Sequence, residues 1–236
     1  MLVREAVPVL LPGLMCDSRM FAAVLERIPG AAVVDGFYDG CDRIEAMADH
    51  ALVRLPERSA LIGHSMGARV ALEVVRRAPE RVERLALVDT GIHPVRPGER
   101  EKRYALYEKG CREGMAALVD EWLPPMVGEG ALRDPALMAR LHAMAVDSGL
   151  AVFRAQIEAL LHRPDLTDLL PTIRCPTFVI VGREDRWSPV SQHEEIAAAI
   201  PGAQLRIVEG AGHMMPAEQP EAFSAVLAEW LAAPAR

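Results

Sequence analysis

Short apolar runs rich in β-branched residues recur along this chain, and most are followed by a glycine and then by a helical pattern. Such nearly continuous apolar runs are typical of strands that are buried on both faces of a parallel sheet. Because strands alternate with helices, the pattern predicts an α/β fold, a mostly parallel sheet flanked by helices. The predicted strands are Val7–Leu11, Ala31–Val34, Ser59–Ile62, Leu85–Val88, Thr177–Val181 and Gln204–Val208.

The alternation stops between Pro94 and Pro171, where the sequence has several helical stretches and no convincing strand. We expect residues 94–171 to form a helical cap, or lid, inserted in a core made of residues 1–93 and 172–236. The alternative is a structural helical subdomain that does not touch substrate. The predicted helices are Ala46–Leu55, Ala68–Ala78, Val190–Ala199 and Pro220–Ala232 in the core, and Glu99–Glu113, Ala116–Leu123, Pro135–Asp147 and Ala151–Leu161 in the insertion.

Composition excludes several classes of protein. Of the 236 residues, 51% are hydrophobic and 25% are charged, which is ordinary for a globular chain. The formal charge of −7 argues against a nucleic-acid binder, which needs a basic face. We find no stretch that predicts a membrane span and no signal peptide. The four cysteines lack metal-ligand or redox spacing, so reduced thiols, a cytoplasmic location and no metal site are expected.

The motif Gly63-His64-Ser65-Met66-Gly67 is a G-x-S-x-G that directly follows a predicted strand and directly precedes a predicted helix. In this strand–turn–helix context a sharp turn lifts the serine side chain above the edge of the sheet, which predicts Ser65 as a nucleophile. Free backbone N–H groups at the start of the helix favour developing negative charge. The N–H of Met66 is therefore the first predicted oxyanion donor.

A serine hydroxyl is a poor nucleophile without a base. Of the seven histidines, only His213 lies in a glycine-containing loop just beyond a late strand, so it is the predicted base. The acid that orients it should follow another strand, and the spacing after Gly182 favours Asp185 over its neighbour Glu184. Asp89 is a weaker substitute. The chain order of serine, acid and histidine is that of one fold among those that share this triad.

The stretches LPGLMCDSRMF, LIGHSMGARVALEVV, PTFVIVGREDRWSP and VEGAGHMMPAEQPEAF resemble the α/β-hydrolase superfamily. They are most similar to its lid-bearing esterases, carbon–carbon bond hydrolases and cofactor-free haloperoxidase-like members. The resemblance implies that Ser65, Asp185 and His213 form the family's catalytic triad. It also implies that the second oxyanion donor is the N–H of Leu14, although Pro12 stands where the family has a histidine.

These features predict a serine hydrolase that cleaves small to medium carboxylic esters without a metal or organic cofactor. Residues that flank the predicted triad are mostly apolar, and Met15, Trp187 and Met214 are the predicted substrate-binding side chains, with core packing as the alternative. Arg100 and Arg103 offer a second possibility, a contact with an anionic substrate, against a solvated helix face.

Other activities remain open on the same residues. Carbon–carbon cleavage of a diketone-like substrate, lactonase and thioesterase activity would use the same triad. A non-enzymatic ligand receptor is the alternative from a different class, since fold does not fix function. Neither a nucleic acid nor a membrane is expected as a partner, and the oligomeric state is not predicted.

Overall fold

The computed structural model describes residues 6–234 and contains one parallel sheet over that range. The strands are β1 (Val7–Leu11), β2 (Ala32–Val33), β3 (Ser59–His64), β4 (Val82–Val88), β5 (Thr177–Gly182) and β6 (Gln204–Val208). The helices are α1 (Ala22–Leu25), α2 (Ile44–Arg54), α3 (Met66–Arg77), α4 (Glu99–Glu113), α5 (Met115–Trp122), α6 (Glu129–Leu132), α7 (Pro135–Leu161), α8 (Val190–Ala199), α9 (Met215–Glu218) and α10 (Pro220–Ala232).

The strands lie in the order β2-β1-β3-β4-β5-β6, and each neighbouring pair is parallel. Every residue of β3 and β5 is buried, as their apolar sequences require. The strand order reverses between β1 and β3, because the chain first moves outward to β2 and then returns to the far side of β1. In open α/β sheets, ligands bind in the crevice at such a switch point, beyond the carboxyl ends of the strands. The predicted α/β fold is confirmed.

The boundaries differ from the prediction mainly where apolar pattern is weak. β2 has only two residues, since it lies at an edge of the sheet and is half-exposed. The two helices predicted at Pro135–Asp147 and Ala151–Leu161 are joined into α7, but Gly149 inside it has non-helical backbone angles (φ 76°, ψ 163°). Glycine adopts such angles without a steric penalty, so the two helical pieces are joined by a kink.

The segment between β4 and β5 contains helices α4 to α7 and no strand. Helices α4, α5 and α7 pack against one another through an apolar interior that is continuous with the core beneath the sheet. Among the described helices, only α7 is long and apolar enough to cross a membrane. Length and composition alone are weak evidence for a membrane span, because core helices of globular proteins pass the same test.

Candidate active site

Ser65 occupies a strained turn between β3 and α3. Its backbone has a positive φ (54°, with ψ −115°), which a residue with a side chain rarely adopts, and such strain costs about 1–3 kcal/mol. Hydrogen bonds on both sides maintain it: the Ser65 N–H donates to the Val88 carbonyl at 2.8 Å, and Thr90 Oγ1 donates to the Ser65 carbonyl at 3.0 Å. The turn thus presents the Ser65 side chain at the carboxyl edge of the sheet.

The two motif glycines permit a backbone approach that no side chain would allow. A methyl group on Gly63 would overlap the Cα of Ala68, and one on Gly67 would overlap the carbonyl oxygen of Leu11. The close approach of Gly67 to the end of β1 brings Ser65 beside the loop that contains Leu14. The physical reason for the G-x-S-x-G spacing is therefore steric.

Ser65, His213 and Asp185 form a continuous chain of hydrogen bonds. His213 Nε2 lies 2.8 Å from Ser65 Oγ, and His213 Nδ1 lies 2.8 Å from Asp185 Oδ2. His213 and Asp185 are buried, whereas Ser65 is partly accessible to solvent. The three side chains proposed from the sequence as nucleophile, base and acid are thus in contact, in the arrangement that those roles require.

The Asp185 carboxylate is held by three further donors. Oδ1 accepts the N–H groups of Trp187 at 2.8 Å and Ser188 at 2.9 Å, and Oδ2 accepts Ser188 Oγ at 2.7 Å. Burial raises the pKa of Asp185, but the charge and hydrogen bond of His213 and the bonds from Ser188 outweigh it and lower the pKa to about 2. Asp185 is therefore ionised at neutral pH and fixes the orientation of the imidazole.

The loop around His213 is braced from three sides. The His213 N–H donates to the Met126 carbonyl at 2.8 Å, and Nε2 of His64 donates to the His213 carbonyl at 2.8 Å. His64 is fully buried, which lowers its pKa to about 3 and keeps it neutral. On the far side, the Glu218 carboxylate accepts the N–H groups of Gly212 at 3.0 Å and Met214 at 2.9 Å. These contacts leave the imidazole little freedom to turn away from Ser65.

Two backbone N–H groups beside Ser65 have no acceptor in the described residues, one from Leu14 in the loop after β1 and one from Met66 at the start of α3. No hydrogen bond from the Leu14 N–H is found in residues 6–234, and Met66 begins α3, where the N–H has no helical acceptor. The loop is fixed by its neighbours: Tyr38 Oη donates to the Pro12 carbonyl at 2.9 Å, and the Met15 N–H donates to Gln156 Oε1 at 2.8 Å. Tyr38 and Gln156 thus hold the loop from both sides of Leu14.

A cavity of about 450 Å³ opens beside Ser65 and is lined jointly by the strand-end loops and the helical segment. Trp187 and Met214 line it, as predicted, and so do Leu14 and Met66. Met15, also predicted to bind substrate, is fully buried and is absent from the cavity wall. The wall also carries cationic side chains that the sequence reasoning did not place together: Arg69, Arg96, Lys102, Arg103, Arg163 and Arg186. Its polarity is therefore mixed, not apolar as we expected.

The two arginines considered as anion contacts have different surroundings. Arg103 is buried, donates to Glu99 at 2.8 Å and lies over the Trp187 ring, with Cζ 5.7 Å from its centroid. Arg100 is exposed and lies over the ring of Tyr104. Of these two residues only Arg103 lines the cavity, so Arg100 alone belongs to a solvated helix face.

The alternative acids do not contact His213. Asp89 is fully buried, and burial together with the nearby charge of Asp185 raises its pKa well above the ordinary value. Its Oδ1 accepts the Gly182 N–H at 2.9 Å, so it braces the end of β5. Glu184 accepts the N–H of Glu129 at 2.7 Å and links the loop to α6. Within residues 6–234 no group of His, Cys, Asp or Glu side chains is arranged to hold a metal ion.

Three residues of the site, Ser188, Glu218 and Arg69, were not predicted from the sequence. Ser188 follows Asp185 by three residues, a spacing typical of a side chain that bonds back to its neighbour, so a local signal existed. Glu218 and Arg69 lie on helices, where a charged residue ordinarily indicates a solvated face. Their burial depends on contacts with the helical segment, which the sequence pattern does not specify.

Comparison with known proteins assigns the chain to a family. Residues 9–226 match the Alpha/beta hydrolase family. The sn-1-specific diacylglycerol lipase of Mus musculus is 27% identical over 203 residues, 80% of this chain and 65% of the relative. A 2-hydroxy-6-oxononadienedioate/2-hydroxy-6-oxononatrienedioate hydrolase of Cupriavidus pinatubonensis is 29% identical over 74% of this chain and 62% of that protein. The chain thus spans less than two thirds of the length of these curated relatives.

One solved structure is similar to this chain over nearly the full length of both proteins. The thermophilic esterase from Thermogutta terrifontis, determined with malate bound, has a TM-score of 0.85 and 31% identity, covering 96% of this chain and 90% of that one. The family match extends from β1 into α10 and includes the strand ends that bring Ser65, Asp185 and His213 together. On these grounds, this chain belongs to the alpha/beta hydrolase family.

Proposed function

We propose that the protein is a serine hydrolase that cleaves small to medium carboxylic esters through an acyl-enzyme on Ser65. The observation that carries the proposal is the hydrogen-bonded chain from Ser65 through His213 to Asp185, which opens onto a cavity beside two unpaired N–H groups. The similar esterase structure, which is 31% identical, supports the ester as substrate.

In the first half of the reaction, His213 Nε2 takes the Ser65 proton as Oγ forms a bond to the carbonyl carbon. The N–H groups of Leu14 and Met66 stabilise the oxyanion, and one such donor is typically worth about 3–4 kcal/mol. His213 then gives the proton to the departing alcohol oxygen as the ester C–O bond breaks. Asp185 holds the required tautomer and stabilises the imidazolium.

In the second half, a water molecule replaces the alcohol. His213 accepts a proton from the water as its oxygen attacks the acyl carbon, and the Ser65 oxygen leaves with the proton that His213 returns. The products are the carboxylic acid and the free enzyme, and this sequence of steps uses no metal or organic cofactor.

The cavity and the helical segment set the size of the substrate. Ligand sites for small molecules range over about 300–1,000 Å³, so 450 Å³ suits a small to medium ester. We propose that residues 94–171 act as a cap, because Arg103, Trp122 and Arg163 in that segment line the cavity. We also propose a cytoplasmic enzyme, in keeping with four cysteines that are all free thiols.

Carbon–carbon cleavage is the second candidate. The relative of Cupriavidus pinatubonensis acts, by its name, on an oxo-dioate, and the cationic side chains in this cavity would suit such an acid. Lactone and thioester hydrolysis would use the same residues. An intact hydrogen-bonded chain at Ser65 argues against a receptor without turnover.

The test is hydrolysis of p-nitrophenyl esters from acetate to decanoate by the wild type, Ser65→Ala and the control Ser191→Ala, which changes an exposed serine on α8. We expect turnover that is lost in Ser65→Ala, retained in Ser191→Ala and greatest for short to medium acyl chains. Wild-type rates no better than those of Ser65→Ala would contradict the ester proposal. A diketone substrate turned over by the wild type alone would then support the second candidate.

A further inference from the structure

Arg69 is a buried cation that lines the cavity and has one side-chain nitrogen without a partner among the described residues. It lies on α3, is only 6% exposed, and lines the cavity beside Ser65. Its Nη2 donates to the His93 carbonyl at 2.9 Å, whereas Nη1 has no partner in the described structure. Buried charged donors are almost always paired, because desolvation without a compensating bond is costly. An unpaired guanidinium nitrogen here therefore points to an anionic ligand.

The neighbouring carboxylate does not neutralise Arg69. Glu99 accepts Nη1 of Arg163 at 2.6 Å, Nη2 of Arg163 at 2.8 Å and Nη2 of Arg103 at 2.8 Å, so both of its oxygens are engaged. Asp165 also attracts Arg69 but is exposed and is bonded to Thr167. Glu99 is thus bonded to Arg103 and Arg163 and not to Arg69, which leaves excess positive charge in the wall.

Arg69 remains cationic under ordinary conditions. Burial and the charge of Arg163 lower its pKa to about 9, which still leaves it protonated at neutral pH. The other acidic side chain in the wall is Asp89, whose Oδ1 accepts the Gly182 N–H, so six cationic side chains line the cavity against two acidic ones. The cavity therefore presents a net positive surface to a substrate at Ser65.

The position of Arg69 relative to Ser65 fixes where a negative group would lie. The two residues are four apart, which places Arg69 about one helical turn, or about 6 Å along the axis of α3, beyond the nucleophile. Ser65 is the N-cap residue, with non-helical backbone angles, and Arg69 lies in the first turn of α3, and both residues line the same cavity. A single molecule with a carbonyl at Ser65 can therefore reach Arg69 with a carboxylate a few methylene groups away.

We propose that Arg69 binds a substrate carboxylate, and that the enzyme prefers half-esters of short dicarboxylic acids over neutral esters of the same acyl length. This inference rests on the proposed function at Ser65 and specifies its substrate class. A guanidinium can bond a carboxylate through two N–H groups, and Nη1 of Arg69 is free to form one of these bonds. The positive charges of Arg103 and Arg163, which line the same cavity, would also favour a substrate carboxylate.

The catalytic test compares monomethyl adipate with dimethyl adipate, which have the same chain and differ in charge, by following proton release. We expect the wild-type ratio of kcat/KM to favour the half-ester. In Arg69→Met the ratio should fall about 10- to 100-fold, the value of one charge-assisted bond. Arg69→Lys should fall less, and the exposed control Arg100→Met should keep the wild-type ratio.

A binding test keeps this inference separate from the ester proposal. Calorimetric titration of the wild type with adipate and with neutral adipamide should show at least about tenfold tighter binding of the dianion, lost in Arg69→Met. Equal binding of the two, or an unchanged ratio of kcat/KM in Arg69→Met, would overturn the role of Arg69. Adipate binding that depends on Arg69 without ester turnover would instead support Arg69 and contradict the ester proposal. Should Arg69→Met fail to fold, Arg69→Lys is titrated in its place: a weaker preference for adipate supports the role of Arg69, and an unchanged preference overturns it.

Discussion

The carboxyl edge of the sheet and the helical segment 94–171 form opposite walls of one cavity, but they differ in what they contribute. The sheet edge supplies Ser65, Asp185 and His213, whose positions follow from strand ends and a steric turn. The helical segment supplies Arg103, Arg163 and other charged side chains whose positions depend on tertiary packing. Under the proposed function, this difference assigns the reaction chemistry to the sheet edge and the choice of substrate to the contact between the two regions.

The largest expected effect is on kcat, and it distinguishes two His–Asp pairs, one in each region. In Asp185→Asn, kcat for p-nitrophenyl acetate should fall about 10⁴-fold, because the amide cannot hold the required tautomer of His213. The matched control is Asp120→Asn, which changes the exposed partner of His142 on the helical segment (3.1 Å). We expect its steady-state kinetics to equal those of the wild type. Comparable losses in both variants would remove the distinction between the two regions.

The next largest effect is on the stability of two glycine-to-alanine variants, one in each region. Gly67→Ala should lower the free energy of unfolding by about 3 kcal/mol or more, because the new methyl group would overlap the Leu11 carbonyl at the end of β1. Gly130→Ala, on α6 in the helical segment, meets no atom and should be neutral or slightly stabilising. Urea denaturation measures both. Equal stability of the two variants would contradict the steric account of the turn.

A smaller effect, on the pH dependence of stability, tests the charged wall of the cavity, which is formed by Arg69, Glu99, Arg103 and Arg163. Burial raises the pKa of Glu99, but the bonds and charges of Arg163 and Arg103 lower it to about 2. Since the folded pKa lies below the unfolded value of about 4.3, Glu99 stabilises the fold above that pH and loses this effect as the pH falls toward 2. Glu99→Gln should therefore cost about 2 kcal/mol at pH 7 and about half of that near pH 3, where folded Glu99 is still largely ionised.

The control for that experiment is Glu101→Gln, an exposed residue on the same helix, α4. Melting temperatures of the wild type and both variants, measured from pH 3 to pH 7, give the result. A difference between the wild type and Glu99→Gln that persists undiminished at pH 3 would refute the ionised role of Glu99.

The two regions also differ in how far their sequences could be interpreted. The strands β1 and β6 and the helices α8 and α10 have the predicted bounds, because buried parallel strands and their flanking helices impose a clear apolar period. The chain of Ser65, Asp185 and His213 was predictable because each follows a strand. In the helical segment α4 also has the predicted bounds and α5 is shifted by one residue, whereas α7 joins two helices that were predicted separately.

The charged wall was not predictable, for a physical reason. Arg69 has the local pattern of an exposed helical arginine, and only packing of the helical segment buries it. Met15 was misplaced for the opposite reason, since its N–H bonds to Gln156, a residue 141 positions away, and its side chain is directed into the core. Contacts of such long range leave no periodic signal in a single sequence.

Covalent labelling with a fluorophosphonate tests the central claim most directly, because this reagent modifies a serine only when a base activates it. Intact-mass and peptide analysis should show one adduct per chain on Ser65. The adduct should be absent from Ser65→Ala and should form far more slowly in Asp185→Asn. An adduct on another residue, or an unmodified wild type that still hydrolyses esters, would contradict Ser65 as the nucleophile.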